Sequence, residues 1–123
     1  MTEEKIYYSN LTGEESELTM ILELKRAITV ERVLITNHAR QEAENDNLRL
    51  DEIYWSVNHG ELIENYPDDK PFPSCLIVGI TPNNDPIHSV WAYNSQKQIA
   101  ILITVYRPDS DKWIDGRERK KPC

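Results

Sequence analysis

Three histidines, His38, His59 and His88, carry the side chains that titrate near neutrality, so proton-transfer chemistry at ordinary pH draws on them first. His38 stands in Asn37-His38-Ala39-Arg40, at the first turn of an expected helix. The positive end of the helix dipole there favours the neutral imidazole that a general base requires. Arg40 adds a guanidinium fork beside the same helix start, and the two together suit a phosphate or another anion. The competing reading leaves both side chains solvated. His88 lies in the apolar run Ile87–Tyr93, where alternation puts it on a face with Val90 and, if the register allows, with Thr104 and Tyr106 of a later strand. Its competing reading is a histidine satisfied by a cross-strand hydrogen bond. Glu64 and Tyr66 share a strand face by the same alternation, and His59 before Gly60 reads as a helix C-terminal residue without a role. No histidine pair has helical ligand spacing, and no carboxylate forms an obvious ligand motif with one, so neither a metal site nor a cofactor is expected.

The elements that position these residues follow from periodicity and turn chemistry. Thr12 and Glu15 fit a capping box, and Leu18, Ile21, Leu22 and Ile28 recur at helical spacing, which predicts a helix over 14–28. Val30 to Ile35 reads as an extended connector that ends at Thr36-Asn37, either of which caps a second helix over 37–46. That helix is polar except for the thin stripe of Ala39 and Ala43, so it must pack closely on something. A third helix spans 50–59. The period then changes to two, and four strands follow: Glu61–Tyr66, Cys75–Ile80, Ile87–Tyr93 and Ile99–Tyr106. In the last strand Ile99, Ile101, Ile103 and Val105 form one face and the better core candidate. The short joints favour antiparallel neighbours, so the reading is an α+β domain with N-terminal helices packed on a four-stranded antiparallel sheet. Its expected bounds are an arm over 1–13, one domain over 14–115 and a basic tail over 116–123.

Composition narrows the function classes. The chain has 123 residues, enough for one core, and 14 basic against 21 acidic side chains give a net charge of −7. No overall field attracts nucleic acid, so a polyanion must meet a local patch such as His38 and Arg40 or the cluster Arg117-Glu118-Arg119-Lys120-Lys121. Only four glycines occur, none clustered, and no GxSxG or HExxH pattern is present, which disfavours nucleotide hydrolases and zinc proteases. Two cysteines without framework spacing, and no apolar leader or spanning run, fit a cytoplasmic protein with no membrane partner.

Five ordered segments resemble the DUF4258 family. They are Ile35-Thr36-Asn37-His38-Ala39-Arg40, the run Gly60–Pro67, the run Pro71–Leu76, Pro86-Ile87-His88, and Ile103–Asp109 with Trp113. That family looks like a branch of the RelE-like toxins of bacteria. The resemblance implies a RelE/barnase-like fold and the toxin of a type II toxin–antitoxin pair. The implied activity is a metal-independent endoribonuclease in which the RNA's own 2′-OH attacks the phosphate, on free or ribosome-bound mRNA. It also implies a cognate antitoxin of the MqsA-like zinc-finger, helix-turn-helix kind. On matching positions, His38 and His88 take proton transfer, Arg40 the phosphate, and Glu64, Thr104 and Tyr106 supporting or shuttling roles. The alternative from another class is a non-catalytic protein-binding module on the same fold. This chain departs from many relatives with Glu42 and Asp46 where arginines stand along helix two, and with Arg49 where Ser or Thr caps helix three. Each lost cation weakens RNA binding by roughly a kcal/mol.

Overall fold

Met20, Leu24, Ala27 and Ile28 recur at helical spacing and are buried along α1, Gly13–Thr29. The structure is a computed structural model that describes residues 13–109, 113–114 and 116–119. The expected stripe through Leu18 and Leu22 is displaced around the helix, since those two residues are exposed. Both sets satisfy a period of 3.6, and packing against the sheet decides the phase. Thr12, the expected cap, lies outside the described residues, as does most of the arm.

Next come β1 (Val33–Ile35), α2 (Asn37–Asn45), α3 (Leu50–Asn58), β2 (Glu61–Tyr66), β3 (Ser74–Ile80), β4 (Pro86–Asn94) and β5 (Ile99–Tyr106). A short ribbon of β6 (Trp113–Ile114) and β7 (Glu118–Arg119) takes up part of the expected basic tail. The main sheet has five strands, in the order β1-β5-β4-β3-β2. The expected four-stranded antiparallel sheet is therefore corrected to a mixed one, because Val33–Ile35 pairs in parallel with Ala100–Leu102. A three-residue strand whose partner lies far along the chain leaves no periodic signal.

The core lies between the three helices and one sheet face, where Cys75, Ile77, Ile87, Trp91, Leu102 and Val105 meet Leu24, Ala39, Ala43, Ile53 and Val57. The expected core face of β5 is corrected as well. Val90 pairs with Thr104 and Trp91 with Leu102, so Ile103 is an extra residue in the ladder. The bulge lets Ala100, Leu102 and Val105 turn inward while Ile99, Ile101 and Ile103 stay half-exposed. Where α3 crosses β3 the backbones nearly touch. A Cβ on Gly79 would stand 1.9 Å from the Ser56 carbonyl oxygen, so only glycine fits. No helix among the described residues is long and apolar enough to cross a membrane.

Candidate functional site

β1 covers β5 only as far as Leu102, and α2 takes over the strand's remaining edge. The junction is Thr36, held in extended conformation. Its N–H donates to the Leu102 carbonyl at 3.2 Å, and its hydroxyl donates to the Ile103 carbonyl at 3.1 Å. The same hydroxyl oxygen accepts from Ala39 N at 3.1 Å, which caps the helix. Ala39 and Ala43, both buried, let the helix axis come close to the strand. The far end is tied by Asp46, whose carboxylate accepts from Arg107 N at 3.0 Å and whose carbonyl accepts from Arg107 Nε at 3.2 Å.

This placement leaves His38 and Glu42, one helical turn apart, on the flank that faces the outer surface of β5. His38 Nε2 lies 2.8 Å from Glu42 Oε1, with the histidine side chain 69% exposed and the glutamate 27%. Thr104 Oγ1 donates to the same carboxylate oxygen. A carboxylate only accepts, so the nitrogen that faces it, Nε2, carries a proton, and in the neutral ring the lone pair is on Nδ1. A histidine oriented by a carboxylate is the arrangement that general-base catalysis uses. Arg40, exposed and two positions on, is on another side of the helix, where its charge lowers the Tyr54 phenol against the larger upward effects of burial and Glu31. Arg40 and His38 thus flank the start of α2.

The register gives the outer sheet face its order. One cross-strand row runs Glu61, Val78, His88, Tyr106, and the next runs Glu64, Leu76, Val90, Thr104. His88 therefore shares a face with Thr104 and Tyr106. It is nevertheless fully buried, with Nε2 2.5 Å from the Gly116 carbonyl oxygen and Nδ1 3.2 Å from the Tyr106 hydroxyl. A carbonyl accepts only, so the proton sits on Nε2 and Tyr106 donates to Nδ1. The rings meet edge to face at 5.3 Å. His88 stands behind Tyr106, which is half-exposed. Glu64 accepts from the Tyr66 hydroxyl on β2, three strand spacings or roughly 14 Å from Thr104.

The structure thus joins His38, Glu42 and Thr104 in one cluster and His88 with Tyr106 in another. It keeps Glu64 apart from both. Glu42 is the functional residue that residue type hides: it stands where many relatives carry an arginine, yet its i, i+4 spacing from His38 already predicts contact on a helix. The Gly116 carbonyl leaves no signal in side-chain types. Among the described residues no group of three His, Cys, Asp or Glu side chains is placed to hold a metal ion.

A family model described as a domain of unknown function, DUF4258, matches residues 35–107, from the last residue of β1 to the residue after β5. No curated protein and no solved structure matches the chain.

Proposed function

The chain belongs to the DUF4258 family, and on that footing we propose that it is the toxin of a type II toxin–antitoxin pair, a metal-independent endoribonuclease with a RelE/barnase-like fold. The reading rests on one observation, the exposed imidazole of His38 held in a single tautomer by Glu42. In the proposed reaction His38 Nδ1 takes the proton of a ribose 2′-OH. The 2′ oxygen attacks the adjacent phosphorus, the bond to the 5′ oxygen breaks, and the products are a 2′,3′-cyclic phosphate and a 5′-hydroxyl. The N-terminal end of α2 and, at longer range, Arg40 on its other side offset charge that develops on the phosphate, and the Tyr106 hydroxyl, turning its proton from His88 Nδ1, protonates the leaving oxygen. Glu42 and Thr104 position His38. His88, having no exposed surface, acts through the Tyr106 hydroxyl and does not touch the RNA. Glu64 is too distant to share this phosphate and supports the sheet face through Tyr66.

The proposed partners are RNA, free or ribosome-bound, and a small MqsA-like zinc-finger, helix-turn-helix antitoxin, and the proposed compartment is the cytoplasm. The test is induced expression with and without such a partner, together with incubation of purified protein with total RNA and ribosomes. Growth arrest relieved by the partner, and RNA products that disappear with His38→Ala, support the reading. Unchanged growth and uncut RNA overturn it. The burial of His88 favours a second reading, a non-catalytic binding module, because one surface imidazole alone meets the needs of a contact site. That module co-purifies with a stoichiometric partner and cuts no RNA.

A further inference from the structure

Far along β5 from Thr104, the last turn of α1 and the β4–β5 turn enclose a cavity of about 70 Å³. Tyr93 lines it and is only 5% exposed. Its hydroxyl has no hydrogen-bond partner among the described residues, and it is not one of the fully sequestered polar atoms. The hydroxyl keeps accessible surface, and the residue that carries it lines the cavity. A hydroxyl that meets solvent at a cavity wall is placed to donate to a ligand that enters.

The walls supply charge. Arg32 Nε donates to the Gln98 carbonyl at 3.2 Å and Nη2 to the Lys97 carbonyl at 2.6 Å, so this guanidinium is immobilised with Nη1 to spare. Glu31 and Gln98, at φ 60° and 55°, hold the left-handed backbone that sets Arg32 and the Gln98 carbonyl in place. Arg26 brings a second guanidinium from the end of α1, against one carboxylate, Glu23. Both arginines act on the Tyr93 phenol, yet burial, the larger effect, keeps it a neutral donor. The α1 carbonyls of Arg26, Ala27 and Ile28 are taken by Val30, Arg32 and Glu31 N–H groups, so they repel an anion less.

We propose that this cavity binds a small tetrahedral oxyanion, a phosphate ion or a phosphate monoester, gripped by Arg26 and Arg32 with the Tyr93 hydroxyl donating from the floor. The volume admits one such group and excludes a nucleoside. The proposal is independent of RNA cleavage at α2. Inorganic phosphate is titrated into the full chain at constant ionic strength and followed by phosphorus NMR and by the thermal midpoint. Wild type shows saturable binding. Tyr93→Phe and Arg26→Gln, which remove no side-chain hydrogen bond seen among the described residues, each weaken it about 5- to 20-fold while melting as wild type does without phosphate. Absence of saturation, or equal affinity in all three proteins, overturns the site. Competition by 5′-phosphorylated and 5′-hydroxyl forms of one oligoribonucleotide then separates the sources. Displacement by the phosphorylated form alone identifies a terminal monoester, and displacement by neither identifies the free ion. Equal displacement by both means general attraction of the RNA backbone and removes the proposal.

Discussion

Glu42→Gln keeps the size of the side chain and removes its charge, so it isolates what the carboxylate does for His38. In the native site one oxygen, Oε1, takes the His38 Nε2 proton at 2.8 Å and the Thr104 hydroxyl as well. Glutamine's carbonyl oxygen can still accept from both donors but without the charge, and its amide nitrogen offers a donor in place of the second oxygen, so the imidazole tautomer is no longer dictated. A hydrogen bond to a charged group contributes about 1.5–3 kcal/mol when well formed. With His38 69% exposed, solvent screening reduces that to about 1–2 kcal/mol. The expected result is a fall in cleavage rate of roughly 5- to 30-fold, with the thermal midpoint lowered by about 10 °C or less. The assay is the initial rate on a fluorescent oligoribonucleotide for the two single variants and for Glu42→Gln combined with His38→Ala. If Glu42 acts through His38, the glutamine costs nothing further once the imidazole is gone. A Glu42→Gln protein that cuts at the native rate, or one that loses the same factor in the His38→Ala background, refutes the reasoning.

Three further outcomes follow from the packing. Tyr106→Phe is expected to slow cleavage about 100-fold while lowering stability by no more than about 1 kcal/mol, whereas His88→Ala loses about 2–4 kcal/mol from a fully buried position. Comparable melting of the two variants contradicts this division. Gly79→Ala forces a Cβ to 1.9 Å from the Ser56 carbonyl oxygen and is expected to cost at least about 3 kcal/mol in denaturant unfolding. A neutral result removes the close α3–β3 crossing. Burial pushes the Cys75 thiol from its usual 9.0 up to about 12. Because the unfolded chain gives up this proton first, stability is intact below pH 9 and falls as pH rises from about 9 toward 12. Cys75→Ala should flatten that fall in chemical-denaturation titrations, and an unchanged slope assigns it to other groups.

Much of the fold was legible because periodicity and punctuation agreed. Thr36 caps α2, Gly60 follows α3, and Glu61–Tyr66 and Ile99–Tyr106 are strands with the expected bounds. Alternation also put His88, Thr104 and Tyr106 on one face, as the register bears out. The misreadings have local causes. Val33–Ile35 is stabilised by β5, which lies more than sixty residues on, so nothing nearby in the chain marks it as a strand. Ile103 looks like one more inward residue until the bulge is counted. At the site, residue type was a poor guide to role. Glu42 stands where the resemblance expects a cation although geometry makes it the partner of His38; His88 has the cross-strand hydrogen bond that its place in a strand suggests, to Tyr106, and the Gly116 carbonyl closes it off from the proton transfer that the resemblance implies. The first is a local contact that helical spacing already carries, and only the second depends on long-range packing.

The most direct measurement uses one short RNA made twice, once with a single native ribose at the cut site and once with that 2′-hydroxyl removed, incubated with the full chain in excess chelator. The account predicts cleavage of the first to a 2′,3′-cyclic phosphate and a 5′-hydroxyl, no cleavage of the second, and loss of both products with His38→Ala. Cutting of the 2′-deoxy strand, or native-rate cutting by His38→Ala, would contradict it.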